Sequence, residues 1–292
     1  MLKRYCPTAD LPQIWEEDER FSYRADTRVH GICAPLKEDI LDQKGEDQVM
    51  KMQKASAIRS AAELQWAAIP AGLRLDSPLS SYSQRHVEID FLVSAKLNFA
   101  HVRFLLELTI TPRVSSPGIE LLRTSADMLS LVVEAILLKQ RLANSGTSLV
   151  WKVAYYGLAA AGVLCLALLY NTFDRAAPDA TPSKTIRDLS VLVAEIETGA
   201  LLQSEDPNYA LLSGAARTIK NLLDRLITNK FAAQADTQPV ADFPTQPPLR
   251  YSNEELNSWD VHGFQDFDPA FWLNLSEHPF LMTPEADVSE FS

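Results

Sequence analysis

The sequence is poor in the residues from which most catalytic and metal-binding motifs are built. Its 292 residues include only three cysteines, five histidines and ten glycines. Cys6, Cys33 and Cys165 are far apart and odd in number, which excludes a disulfide framework and a zinc-ligand spacing. The chain has no His-Glu-x-x-His, Gly-x-Ser-x-Gly, Walker or Gly-x-Gly-x-x-Gly motif. We therefore predict that it is not an enzyme and that no catalytic, metal-binding or cofactor-binding residues occur in it.

The histidines do not change this prediction. His86 and Glu88 match the start of a zinc deaminase signature, but no Pro-Cys-x-x-Cys follows to complete the ligand set. His101 lies in an apolar stretch, so we expect it either to form a hydrogen bond between helices or to be exposed.

Basic residues are almost absent from the C-terminal part of the chain. Of the 38 acids and 27 bases, 11 acids but only one base, Arg250, lie in residues 236–292. The preceding 235 residues therefore hold 27 acids and 26 bases and are nearly neutral. A neutral body offers no electrostatic surface for nucleic acid, so no direct contact with it is expected.

The N-terminal residues lack the apolar stretch of a secretory leader, which predicts no signal peptide. One long uncharged run, residues 153–173, is long enough to cross a membrane. It contains tyrosines, alanines and glycines, and no basic cluster flanks it on one side. We interpret it as a helix buried on all sides in a helical domain, and a membrane anchor is the alternative.

Apolar residues repeat at helical spacing over residues 51–230, and period-two alternation is absent over any useful length. Capping and proline signals predict helix starts at Ser116-Pro117, Thr185 and Asp206-Pro207. We predict an irregular all-α domain of about six or seven helices over 51–230. Residues 1–50 show no sustained period and are predicted to form an irregular N-terminal segment of loops and short helices on the surface of the body.

Residues 231–292 differ in character, because seven prolines prevent a long helix and nine aromatic residues lie among the acids. This composition is typical of a disordered activation segment, in which repelling acids keep aromatic side chains available to an apolar groove of a partner. An alternative is that Trp272, Leu273 and Leu275 dock on the helical body. The predicted partner-binding residues are Trp259, Phe264, Phe267, Phe271, Trp272 and Leu275.

Several short segments resemble one protein family in the same order along the chain. Trp66-Ala-Ala-Ile69-Pro70-Ala-Gly-Leu73-Arg74 resembles the Trp-x-x-Leu/Ile-Pro-x-x-Leu-Arg element in the regulatory domain of fungal zinc-cluster (Zn2Cys6) transcription factors. The likeness covers about residues 60–282. Further segments that resemble helices or the acidic Trp segment of this domain are residues 89–108, 149–169, 185–192, 206–211 and 268–275.

The resemblance implies a helical regulatory scaffold with a transactivation tail, located in the nucleus. The implied partners of the tail are the transcription machinery or a co-regulator. The family binds DNA through an N-terminal module of six closely spaced cysteines with two zinc ions, which this sequence does not contain. We therefore expect a truncated form, a domain fragment or a natural protein without DNA-binding ability of its own. It would reach DNA only through the missing module or a partner. Zinc is expected only if such a module lies upstream.

A second hypothesis is an all-α small-molecule sensor or enzyme with an apolar pocket between helices. Aromatic residues in the predicted buried helices are the candidates for its lining, and ordinary core packing is the alternative. These residues are Phe99, Phe104, Trp151, Tyr155 and Tyr156.

Overall fold

A computed structural model describes residues 21–43, 47–111, 117–143, 147–175, 181–206 and 208–235. These residues form seven helices and no strand, which confirms the predicted all-α fold. The fifth helix, α5, is continuous. Its α-helical segments Thr147–Lys152 and Leu158–Leu169 are joined by the π-helical turn Val153–Gly157. The other helices are α1 (Tyr23–Leu41), α2 (Gln48–Ala68), α3 (His86–Ile110), α4 (Ile119–Leu137), α6 (Pro182–Glu197) and α7 (Tyr209–Ala235).

Two helices form the centre of the molecule. Fifteen of the 25 residues of α3 are buried, and α3 packs against α1, α2 and α4. All twelve residues of Leu158–Leu169 in α5 are buried, and α5 packs against α4, α6 and α7. A helix that is apolar all round is stable only when neighbouring helices cover every face. The other five helices therefore pack around these two.

The long uncharged run is part of this core. Ser148–Leu169 is the single helix among the described residues that is long and apolar enough to cross a membrane, with a mean hydropathy of 1.8. However, 89% of the 18-residue window that meets this criterion is buried inside the protein. Burial by α4, α6 and α7 accounts for its composition, as the interpretation of a core helix predicts.

The interpretation of residues 1–50 as an irregular segment is wrong for α1, which spans Tyr23–Leu41 and packs on α2 and α3. Its buried residues follow one another at helical spacing, and Pro35 lies inside the helix. Proline removes one backbone hydrogen bond, but a buried apolar stripe outweighs that loss. The stripe consists of Ala25, Val29, Cys33, Leu36 and Ile40.

Three predicted boundaries also differ from the structure. Helix α4 starts at Ile119, after Gly118 rather than at Pro117. Helix α6 is capped by Thr181, whose hydroxyl accepts a hydrogen bond from the backbone N–H of Lys184 at 3.3 Å, so Thr185 lies inside the helix. Helix α7 starts at Tyr209 and runs past the predicted boundary at residue 230. The predicted and observed helix starts differ by two to four residues, which is close to the uncertainty with which helix ends are defined.

Candidate functional site

A cavity of about 260 Å³ lies between α2, α3 and α4. Each helix contributes residues at the spacing that places side chains on one face. Helix α3 supplies four of the nine lining residues, over two turns, and α2 and α4 supply the others. The lining residues are Ala62, Glu63 and Trp66 of α2, Lys96, Phe99, Ala100 and Arg103 of α3, and Thr124 and Asp127 of α4.

Two aromatic rings give the cavity its apolar surface. The rings of Trp66 and Phe99 meet edge to face, with centroids 4.9 Å apart and an interplanar angle of 62°. This is a favoured geometry for aromatic pairs. Phe99 is buried in the core, whereas Trp66 is only partly covered and keeps part of its ring open to a ligand.

Lys96 places a positive charge against this aromatic surface. Its Nζ lies 4.8 Å from the centroid of the Trp66 ring, a cation–π contact. Among the described residues no carboxylate oxygen lies within 4.0 Å of this ammonium group. Burial lowers the pKa of Lys96, and the opposing attraction of Asp76 and Asp127 is smaller.

Asp127 places a negative charge at the rim of the same cavity. Loss of hydration raises the pKa of this carboxyl, against the smaller effects of Lys184 and Lys96. Within the described part of the chain Asp127 forms no ion pair. The neighbouring hydroxyl of Thr124, which is 4% exposed, forms no hydrogen bond there either. The cavity therefore offers an aromatic surface with an ammonium group, a carboxylate and a hydroxyl group around it.

The five residues predicted to line an apolar pocket fall into two groups. Phe99 lines the cavity and packs on Trp66, whereas the rings of Phe104, Tyr155 and Tyr156 lie near His101. Trp151 and Tyr155 stack at 4.5 Å and 15°, and Tyr155 meets Tyr156 edge to face at 4.8 Å. The cavity at Trp66 therefore includes one of the five residues, and a pocket lined by all five stays a prediction.

His101 is completely buried, so the expectation that it could be exposed is wrong. Its ring centroid lies 5.0 Å from that of Tyr155, 5.3 Å from that of Tyr156 and 6.1 Å from that of Phe104. Burial raises the pKa of both tyrosine hydroxyls, which keeps them protonated. The cluster is a packed junction between α3 and α5.

Within the described ranges, Lys152 and Ser148 form a pair that resembles a catalytic nucleophile and its base. Lys152 is 3% exposed, and its Nζ lies 2.6 Å from Ser148 Oγ and 3.0 Å from Asp90 Oδ1. A lysine that activates a serine must be neutral, whereas an adjacent carboxylate stabilises the ammonium form. The group is therefore better suited to joining α3 and α5 than to accepting a proton.

Among the described residues no group of three or more His, Cys, Asp or Glu side chains could hold a metal ion. Free cysteines Cys33 and Cys165 are buried, and burial raises the pKa of both thiols. The predicted partner-binding residues lie outside the described residues. They are Trp259, Phe264, Phe267, Phe271, Trp272 and Leu275.

Comparison of the chain with protein families, with curated proteins and with solved structures found no match. The functional interpretation therefore rests on the chain's own residues.

The residues that give the cavity its charge were not predicted from the sequence. Lys96 and Asp127 lie on separate helices, and neither belongs to a recognisable motif. Trp66 was identified only as part of the family resemblance. A usable signal was Lys96, the single Lys, Arg, Asp or Glu between Asp90 and Arg103 in the mostly buried helix α3.

Proposed function

We propose that this chain is the regulatory and activating part of a transcription regulator that resembles the fungal zinc-cluster factors. The helical body would act as a scaffold, and residues 236–292 would contact the transcription machinery or a co-regulator in the nucleus. The observation that carries this proposal is the abrupt change in composition after α7. The last 57 residues hold 11 acids, one base and nine aromatic residues, whereas the body is nearly neutral.

The structure of the resemblance element is compatible with a role in a folded scaffold. Trp66 lies near the end of α2, and Ile69 and Leu73 directly after it are buried. Pro70 stops the helix, and the short turn Ala71–Leu73 returns the chain to the core. The conformation of this element therefore depends on packing within the domain, and it also positions Trp66 at the cavity.

A reporter assay tests the tail directly. Residues 236–292 fused to a neutral DNA-binding domain should activate transcription. Combined substitution of Trp259, Phe267 and Trp272 by alanine should abolish activation, because the apolar contacts with the partner are lost while the acids remain. A control in which Thr237, Thr245 and Thr283 become alanine should keep activity. An inactive fusion, or equal activity of the aromatic variant, would count against the proposal.

Two other functions have a specific observation behind them. The cavity at Trp66 favours binding of a small molecule, which a regulator could also use. The apolar segment Ser148–Leu169 favours a membrane anchor by length alone, but its burial provides another explanation. Sedimentation of the chain with membranes in a detergent-free lysate, and its release by detergent, would support the anchor.

A further inference from the structure

We propose that the cavity between α2, α3 and α4 binds a small zwitterion with an aromatic or branched aliphatic body, the chemistry of an apolar α-amino acid. The inference rests on the size of the cavity, its aromatic surface and the arrangement of its charges. It is independent of the function proposed for residues 236–292.

The size of the cavity limits the ligand. Sites for drug-sized molecules occupy roughly 300–1,000 Å³. At about 260 Å³, this cavity lies below that range and suits one ring or one branched side chain with its polar groups. The edge-to-face pair of Trp66 and Phe99, together with Ala62 and Ala100, gives such a body an apolar surface.

The charges around this surface select against a ligand with one charge. Lys96 and Arg103 are positive and Glu63 and Asp127 are negative, so the formal charge of the lining is zero. A simple anion would approach two carboxylates, and a simple cation would approach an ammonium and a guanidinium group. A zwitterion can place its carboxylate near Lys96 and its ammonium near Asp127, and so satisfies both.

The polar groups of the cavity are also available. Within the described residues the ammonium of Lys96 has the Trp66 ring as its neighbour but no hydrogen-bond acceptor, and Asp127 has no donor. Arg103 is less available, because its Nη2 lies 3.9 Å from Glu120 Oε2. Thr124 adds an unused hydroxyl group from a residue that is 4% exposed. A ligand that accepts a hydrogen bond from Lys96 and donates one to Asp127 would form charge-assisted hydrogen bonds that neither group forms within the described residues.

Calorimetric titration of the full chain with five small molecules tests the inference. L-phenylalanine carries both charges and a ring, phenylacetate only the negative charge, and phenethylamine only the positive charge. The amide of N-acetylphenylalanine has neither charge, and glycine has both charges without the body. L-phenylalanine should give saturable binding, and each of the others should bind at least about tenfold more weakly, as the loss of one charge-assisted hydrogen bond or of the apolar contact predicts.

Two substitutions assign the binding to this cavity. Lys96→Met should weaken binding of L-phenylalanine and phenylacetate about tenfold and leave phenethylamine unchanged. Asp127→Asn should weaken L-phenylalanine and phenethylamine and leave phenylacetate unchanged. Lys51→Met, the same change near the other end of α2, is the matched control and should alter no affinity. Because each variant keeps one ligand as an internal reference, misfolding is distinguishable from loss of a charge.

Three results would overturn the inference. One is the absence of saturable binding of L-phenylalanine at millimolar concentration. Another is binding of a singly charged analogue as tightly as the zwitterion. The third is unchanged affinity in both Lys96→Met and Asp127→Asn, which would place the ligand elsewhere on the chain.

Discussion

Lys37 and Cys33, one turn apart on α1, show how burial sets the charge of single residues in this protein. The Lys37 ammonium donates a hydrogen bond to Asn98 Oδ1 at 2.7 Å. Burial nevertheless lowers the pKa of Lys37 to about 8, because desolvation outweighs the other effects. Burial likewise raises the pKa of the Cys33 thiol to about 12. Burial therefore shifts both groups towards their neutral forms, compared with the same groups in water.

This environment predicts how stability changes with pH. Between pH 8 and 10.5 the unfolded chain keeps the proton on Lys37 that the folded chain has lost, so the free energy of unfolding rises with pH. The buried thiols of Cys33 and Cys165 act in the opposite direction as the pH approaches and passes their ordinary pKa of 9.0, since only the unfolded thiols then ionise. From pH 8 to 9 we expect a gain of about 1 kcal/mol from Lys37.

Urea unfolding of the protein and of Lys37→Met at these two pH values measures the effect. The change in the free energy of unfolding from pH 8 to 9 should be about 1 kcal/mol less favourable in Lys37→Met than in the unchanged protein, because Lys96 and the two buried thiols contribute equally to both. Lys51→Met should behave like the unchanged protein. The same change in Lys37→Met as in the unchanged protein would contradict the account.

The buried ion pair of Lys152 and Asp90 gives a second prediction at this scale. Lys152→Met removes the partner of a carboxylate that is only 20% exposed, so we expect a loss of about 3–5 kcal/mol in the free energy of unfolding. Replacing both residues, as Lys152→Met with Asp90→Leu, should recover part of the loss because no unpaired charge remains. Urea denaturation measures both, and a loss below about 1 kcal/mol in Lys152→Met, the range of exposed pairs, would refute a structural role.

At the scale of helices, the contact between α4 and α5 depends on Gly157. A Cβ atom at this position would lie 3.1 Å from Val132 Cγ1, which is closer than ordinary van der Waals contact. Gly157 ends the π-helical turn Val153–Gly157, where the two helices approach each other. The absence of a side chain there is what permits this approach.

Gly157→Ala should therefore destabilise the protein by about 1–3 kcal/mol, the usual cost of overpacking. Combining it with Val132→Ala should reduce the cost of the added methyl group, since space opens beside it. Gly214→Ala in α7 is the matched control, because nothing lies within 4 Å of its Cβ, and it should stabilise the helix by about 0.5–1 kcal/mol. Thermal unfolding measures all three, and a neutral Gly157→Ala would contradict the close approach.

The helices that the sequence predicts best are those with uninterrupted apolar periods. Residues 89–108, a segment of the family resemblance, lie within α3, and most of the uncharged run 153–173 lies in α5. Helix α1 was missed because Pro35 and scattered charges mask a stripe of five residues that is visible only at spacings of three and four. Local signals place helix starts to within a few residues, whereas packing decides which signal is used.

The cavity could not be predicted for a related reason. A period identifies the buried face of each helix, but it does not determine which faces of α2, α3 and α4 meet. Phe99 and Phe104 look equivalent in the sequence, and the structure places them in different environments. The role proposed for charged residues such as Lys96 and Asp127 depends on the packing of three helices, which brings these residues to one cavity.

At the scale of the whole molecule, the chain combines a nearly neutral helical body with an acidic, aromatic C-terminal part. The described helices of the body form a closed core, in which even the most apolar segment, Leu158–Leu169 of α5, is buried. The 57 residues after α7 carry a net charge of −10 and nine aromatic side chains. In the proposed function, the first part is the folded body and the second part contacts a partner.

Reporter activation by the full chain tests this division most directly. Residues 1–292 and residues 1–235 are each fused to the same heterologous DNA-binding domain and expressed at equal levels. The account predicts that the full chain activates transcription and that the protein ending after α7 does not. Equal activation by both proteins, or no activation by the full chain, would contradict it.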